Sequence, residues 1–423
     1  MGQRPDLQMH TACALCIAVC MDGQPDKQWL EASVEPRLRQ PGRVTRPSRD
    51  LPKNNTFAKP DYAIYKSMPA VFAELQQLVD QHPRTMQLDV YNRSDEGYSA
   101  AMRVVTVEPG GLTSPEQRQN KLRLLLNFGE HGRELVTVEV ALRLLRMLGN
   151  PAEAVQRSVE RGHGPHRLLT LLRHAVFQIV PMENEAGRKV VEAGALCERK
   201  NGRGVDTNRN WQVHWGFREK DYDPAEEYPG TRPFSEPEAA ILQGLAEQLK
   251  PHVWMNAHSG MEALFMPYDH RATIPDGPEA AASLEILKDL NLQSCGGRCA
   301  VGSGGKSVGY LAHGTATDYM FEVQKVPLAF TWEIYGDLTA HYNDCFRMFN
   351  PLTPSHLQQV ASNWSEAIFV LLELMPRHPQ VPNVRALSRS RHGHREISEE
   401  GGDERVYLHN DIIRRSFLGP PTL

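Results

Sequence analysis

Read for the spacing of its apolar positions, the chain alternates strand-like and helix-like segments between two long polar ends. Residues 122–128 (LRLLLNF) form a short apolar run with polar flanks, which predicts a buried strand. Directly behind it, residues 134–148 place apolar side chains every three or four positions, which predicts a helix. Residues 175–180, 252–257 and 328–333 repeat the short apolar strand pattern. Helical spacing returns at 70–81 and 355–374, and Ser235-x-x-Glu238 ahead of AAILQGLAEQL reads as a capping box opening one more helix. Strands alternating with helices imply an α/β layer architecture.

The ends read differently. Residues 22–59 are rich in Pro, Arg, Asp and Gln without apolar periodicity, which predicts a disordered linker rather than a folded inhibitory pro-domain. The stretch 377–423 has the same character and predicts a disordered tail; its HGHRE is read as solvated sequence rather than a metal site. At 11–21, TACALCIAVCM follows a leader containing Arg4 and precedes the polar DGQPD, the layout of a secretory signal over 1–21. Asp6 and the absence of a small-x-small cleavage site argue for a mere N-terminal extension instead. No internal repeat is visible.

Composition excludes more than it selects. A net charge of −4 gives no electrostatic case for nucleic acid or an anionic membrane. No apolar run reaches the roughly 18–20 residues needed to span a bilayer. Three of the seven cysteines lie in the 11–21 segment; Cys197, Cys295, Cys299 and Cys345 remain, an even set that suits an oxidising compartment. Their pairing is left open, and four reduced thiols in a cytoplasmic protein are the alternative. Sequons at Asn54, Asn92 and Asn363 fit secretion but are near chance in a chain this long.

Candidate chemistry sits where apolar strands end. GEHGRE places His131 and Glu134 three residues apart at a strand-to-helix turn, a position where functional groups of open α/β sheets collect. An imidazole and a carboxylate so placed can face one zinc ion, although helix capping is the ordinary role of such an acid. His258 in WMNAHSG, again where a buried strand meets a turn, is the best third ligand; a hydrogen-bonded core histidine is the alternative. His163, His166 and His174 lie in or beside a Gly/Pro loop without acids at ligand spacing and are read as surface residues. Glu333 in LAFTWEIYGD is an acid at the end of an apolar strand, placed to serve as the base of a hydrolytic site unless a core arginine pairs with it. GVDTNRNW offers Asn208 and Arg209, and a planar guanidinium can hold a carboxylate bidentately.

Taken together, His131-x-x-Glu134, PMENEAGRK, DTNRNW, the strand running to His258 and the strand bearing Glu333 stand in the order and spacing of the zinc metallocarboxypeptidases, which this chain resembles over residues 61–375. Its nearest branch is the plant and algal carboxypeptidase-like proteins. The resemblance implies a three-layer α/β/α sandwich with a mixed, mostly parallel twisted sheet and helices on both faces, forming a catalytic domain over 60–376. It implies one zinc per chain held by His131, Glu134 and His258, the ligand set of carboxypeptidase A. It also implies Glu333 as general base, Arg199 (or, failing it, Arg203) at the scissile carbonyl, and Asn208 with Arg209 on the terminal carboxylate. Tyr310 would close over the substrate and Arg133 would contact the peptide further in. Thr317 and Asp269 match the residues that set specificity. Thr317 is neutral; the acid at Asp269 implies a preference for C-terminal Lys or Arg, unless it points to solvent or pairs with His270 or Arg271. The implied activity is hydrolysis of the last peptide bond by a monomeric secreted, secretory or vacuolar hydrolase whose partner is a peptide or protein C-terminus. An aspartoacylase-like zinc deacylase would share the zinc set but need neither Tyr310 nor Arg133. A catalytically inactive zinc-holding binding protein would lack Glu333 or Arg209.

Overall fold

In the computed structural model, residues 57–383 are described. The predicted signal at 1–21, the linker up to residue 56 and the tail from 384 lie outside the described residues. Eight strands, β1 (Met86–Asp95), β2 (Tyr98–Val107), β3 (Leu122–Asn127), β4 (Ala175–Val180), β5 (Val253–His258), β6 (Met261–Met266), β7 (Ala300–Ser303) and β8 (Leu328–Tyr335), make one sheet in the order β1-β2-β4-β3-β5-β8-β6-β7. The sheet is mixed. Its centre, β4-β3-β5-β8, is parallel, while β1, β2 and β6 run against their neighbours and β7 lies parallel to β6.

Both faces of the central strands are buried, which is why they read as near-continuous apolar runs. Leu124, Leu126, Met255, Phe330 and Trp332 face one core, shared with the helices Leu135–Gly149, Pro278–Ser294 and Pro354–Leu374. Leu125, Trp254 and Ala329 face the opposite core, shared with Pro237–Leu249 and Ala316–Glu322. Side chains alternating along a strand thus feed two helical layers, giving the three-layer sandwich.

One predicted helix signal fails. The helix Pro237–Leu249 begins behind Glu236 with no side-chain cap. Buried Ser235 instead donates to Glu236 Oε1 (2.7 Å) and accepts from Asn210 Nδ2 (2.9 Å), while Glu238 accepts from Tyr98 Oη (2.6 Å). Tertiary bonds took the side chains a capping box needs, and Pro237 starts the helix without them. At the other end the packed body runs past residue 376: His378 and Val381 are buried, with His378 Nε2 3.1 Å from Glu279 O. His163 is not a bare surface residue either, its Nδ1 lying 3.0 Å from buried Glu373.

The cysteines pair as Cys197–Cys345 and Cys295–Cys299, separated by 148 and 4 residues along the chain. The long-range bridge ties the loop carrying Arg199 to the short helix Cys345–Phe349; the short one only closes a turn after Pro278–Ser294. Constraint of the unfolded chain grows with the loop closed. Replacing Cys197 and Cys345 by serine is expected to lower unfolding stability by about 2–4 kcal/mol, and replacing Cys295 and Cys299 by less. Urea titration of the two double variants checks the order; equal losses would contradict it.

Candidate metal centre and cleft

Three adjacent parallel strands deliver the site. β3 ends at Asn127 and turns through Gly129 to His131; β5 ends on His258; β8 carries Glu333, which pairs in register with His258. Glu134 stands at the N-cap of Leu135–Gly149 yet makes no cap bond. Its carboxylate turns inward instead: Oε1 lies 2.7 Å from His131 Nδ1 and Oε2 3.2 Å from His258 Nδ1, and Oε2 also accepts from Ser259 N at 3.0 Å. The two Nδ1 atoms are 3.1 Å apart. Two imidazole nitrogens and one carboxylate converging this closely suit an ion bonded at roughly 2.0–2.1 Å to each residue.

The outer nitrogens are also met. His131 Nε2 lies 3.3 Å from Asp206 Oδ1, and His258 Nε2 lies 3.1 Å from Glu130 Oε2, near enough for an ion pair though not aligned as a hydrogen bond. Glu130, His131 and His258 themselves form a group able to hold a metal ion. Glu134 faces the Nδ1 atoms of both rings, whereas Glu130 reaches the far side of the His258 ring. A carboxylate behind a ligating imidazole fixes its tautomer and orientation. Against the cost of burial, Glu130 and Glu134 raise the pKa of His258 well above the ordinary value, and His131 with His258 holds the Glu134 carboxyl below its own. Both directions mark a pocket that favours positive charge at its centre.

Glu333 is the remaining acid. Burial pushes its pKa up to about 7, with His258 opposing and Glu134 adding to the rise. Its Oε2 is buried without a hydrogen-bond partner among the described residues. An orphaned carboxylate oxygen beside three converging ligands fits a site built around an ion and its water. Among the described residues no arginine forms an ion pair with it, although the Arg199 charge acts on it from a distance.

Arg199 is drawn in through Asp206, to which its Nε and Nη2 donate at 2.9 and 2.8 Å, leaving Nη1 3.1 Å from His131 Nδ1. Arg203, by contrast, lies against Tyr98, Asp95 and Glu236. The structure therefore brings Arg199, not Arg203, to the centre. Gly132 permits this approach: a Cβ there would sit 2.7 Å from the backbone of Gly187 and 3.1 Å from Glu198 O.

Arg209 is buried, donating to Asn208 O (3.0 Å) and Glu227 Oε1 (2.7 Å); Asn208 Oδ1 accepts from Ala316 N at 2.9 Å. Tyr310 borders the same small cavity as Arg209, and burial raises its phenol pKa against the pull of Arg209 and Arg199. Arg133 lies over the Phe349 ring, 4.4 Å from its centroid, and pairs with Glu226 at 2.8 Å. The Thr317 hydroxyl is engaged with Thr331 Oγ1 (2.7 Å) and Trp254 Nε1 (3.3 Å).

Asp269 is buried, with its Oδ1 close against Gly304. It pairs with neither neighbour considered from sequence: His270 Nδ1 is bound to Asp318 Oδ2 (2.6 Å), and Arg271 stacks on Tyr268. Burial, then the Asp318 charge, pushes its pKa up to about 7. Sequence reasoning missed Glu130, Asp206, Glu226 and Glu227; the first two sit inside the quoted motifs GEHGRE and DTNRNW, the others on the short helical turn Pro224–Glu227, which carries no periodic signal.

The zinc carboxypeptidase family model matches residues 71–366. Mouse carboxypeptidase B2 is 25% identical over 291 residues, covering 64% of this chain and 63% of that protein. Fruit-fly zinc carboxypeptidase A 1 is 24% identical over 293 residues, covering 66% and 64%. The chain thus spans a little under two thirds of the length of these curated relatives. Among solved structures, Helicoverpa armigera carboxypeptidase A superposes with a TM-score of 0.59 at 19% identity, covering 77% of this chain and 76% of that one. Bovine thrombin-activatable fibrinolysis inhibitor, in complex with tick carboxypeptidase inhibitor, gives 0.57 at 19% identity, covering 74% and 98%. At such identities the structures establish the shared fold.

The raised Asp269 pKa has a stability consequence. The fold favours its neutral form, so the contribution is complete below the ordinary value of 3.8 and is lost as the pH rises through about 7. At about 1.4 kcal/mol per unit, Asp269→Asn should gain on the order of 2–4 kcal/mol over wild type between pH 4 and pH 8. Urea titrations of the chelated proteins at the two pH values measure the difference; a variant tracking wild type at both would remove Asp269 as the source.

Proposed function

We propose that this chain, which belongs to the zinc carboxypeptidase family, removes single residues from the C-terminal end of peptides. The observation that carries the reading is the convergence of His131 Nδ1, Glu134 and His258 Nδ1 beside the unpartnered carboxylate of Glu333, with Arg209 buried in the same cleft. Zinc bound there supplies a lowered pKa for its water and a polarised scissile carbonyl. The protein's own groups do the rest. Arg209 and Asn208 hold the terminal carboxylate, which orients the last peptide bond and makes the reaction an exopeptidase step. Glu333, with a pKa near neutrality, accepts the proton of the attacking water and returns it to the leaving amine. Arg199, held by Asp206, faces the developing oxyanion, and Tyr310 closes over the substrate. Two disulfides support a secretory setting.

Removal of zinc with a chelator should abolish peptide hydrolysis, and one equivalent of zinc should restore it. Glu333→Gln is expected to keep one zinc per chain while turnover falls at least roughly 10²–10⁴-fold. Metal analysis beside turnover of a blocked dipeptide decides this; hydrolysis within about tenfold of wild type would exclude Glu333 as the base.

For the residue removed, the reading is a preference for Lys or Arg, supported by the desolvated carboxylate of Asp269 beside that of Asp318. A guanidinium meeting such an acid gains roughly 1.5–3 kcal/mol, enough for tenfold to hundredfold selectivity. Because Asp269 ionises near pH 7, the preference should strengthen as the pH rises through that value. Asp269→Ala should depress cleavage of C-terminal Arg far more than of C-terminal Leu. Equal losses, or a wild-type preference for Leu or Phe, would refute the assignment.

A further inference from the structure

The turn Pro224–Glu227 has no role in the reaction just described, yet its last two side chains reach both arginines assigned to the peptide. Glu227 Oε1 accepts from Arg209 Nη2 at 2.7 Å, and Glu226 Oε2 lies 2.8 Å from Arg133 Nη2. One short segment thus supplies a carboxylate to each of two guanidiniums that would otherwise meet a substrate oxygen.

Each arginine also has contacts besides its glutamate. Arg209 is already fixed by Asn208 O at 3.0 Å and by Asp206 Oδ2 at 3.9 Å. Arg133 donates to Cys197 O at 3.1 Å and lies on the Phe349 ring. The accessibilities are also unequal. The Arg209 side chain is 8% exposed and that of Glu227 24%; Arg133 is 11% exposed and Glu226 43%. In each pair the glutamate is the more exposed partner. The backbone behind them is anchored: Asp206 N donates to Tyr228 O (2.9 Å), while Asn210 Nδ2 (2.8 Å) and Trp215 Nε1 (3.0 Å) both donate to Pro229 O. What can swing away is the pair of side chains.

We propose that Glu227 and Glu226 are resident counter-ions which an incoming peptide displaces. Glu227 occupies Arg209 where the terminal carboxylate binds, and Glu226 occupies Arg133 where a carbonyl further from the end binds. The inference rests on the carboxypeptidase reading of those two arginines. Displacement exchanges one charge-assisted bond for another, so the segment sets how tightly a peptide end is held without touching the bond that breaks. A peptide long enough to reach Arg133 displaces both glutamates; a shorter one displaces Glu227 alone.

The test is calorimetric binding to the zinc-loaded full chain. The probes are a tripeptide whose last peptide bond is reduced to a methyleneamine, ending in leucine with a free carboxylate, and the same molecule ending in a carboxamide. Wild type should prefer the acid. Glu227→Gln should bind the acid about tenfold more tightly, the scale of losing one partly exposed competing ion pair, and the amide with little change. Glu227→Ser serves the same purpose if the glutamine variant folds poorly. Glu226→Gln should tighten the tripeptide but not a reduced dipeptide. If the acid binds the Glu227 variants equally or more weakly than wild type, Glu227 orients Arg209 and the proposal falls. If wild type does not distinguish acid from amide, the carboxylate-anchor reading falls instead, and the proposal with it.

Discussion

The cleft is organised around the buried carboxylate of Asp206. It receives two bonds from Arg199, lies 3.3 Å from the outer nitrogen of His131, accepts from Asn208 N at 3.0 Å and stands 3.9 Å from Arg209. A charge taken out of water costs several kcal/mol unless it is paired and hydrogen-bonded, and here the two arginines hold Asp206 well below the usual carboxylate range despite burial. Those same bonds fix three functional groups at once: an imidazole, the guanidinium beside it, and the turn carrying Arg209. Removing this one carboxylate would take from buried Arg199 its ion-pair partner and leave Arg209 with Glu227 alone.

Around it the fold assembles more acid than it can leave uncompensated. Glu130, Glu134 and Glu333 surround the two histidines, and a further buried carboxyl, Glu183, lies on the same network through Asn127 and Asn256. Burial, with the Glu130 charge added, raises the Glu183 pKa well above the ordinary range and favours its neutral form. The remaining excess of negative charge is concentrated where His131, Glu134 and His258 converge. A divalent cation held at that point would relieve this repulsion beyond what Arg199, whose Nη1 lies 3.1 Å from His131 Nδ1, can do, and would link metal affinity to the stability of the strand ends that carry these residues.

That organisation explains which parts were legible in the sequence. The central strands read clearly because both of their faces are buried, which turns them into apolar runs; β1 has a mostly exposed, polar pattern and gave no such signal. His131, Glu134, His258 and Glu333 stood out because each interrupts apolar sequence at a strand end, where only chemistry or pairing justifies a polar residue. Asp206 was written in DTNRNW but its role depends on Arg199 and His131, 7 and 75 residues away. Glu130 was hidden by its neighbours: beside an evident ligand, an acid looks like part of the same turn. The cysteine pairing and the Ser235 bonds were set by tertiary proximity, which local spacing does not encode.

The arginines complete the electrostatic argument. Burying Arg199 and Arg209 next to one another would be costly, and the fold meets that cost with Asp206 between them and Glu227 at the outer edge. Arg133 is balanced in the same way by Glu226. The cleft therefore carries its own charge partners, and on the proposed reading a peptide end would gain only the difference between its bonds and those it replaces. Such an arrangement would moderate affinity, because tight ground-state binding lowers KM without accelerating the chemical step. Pairing by partly exposed glutamates, rather than by a second buried acid like Asp206, is what leaves the outer partner replaceable.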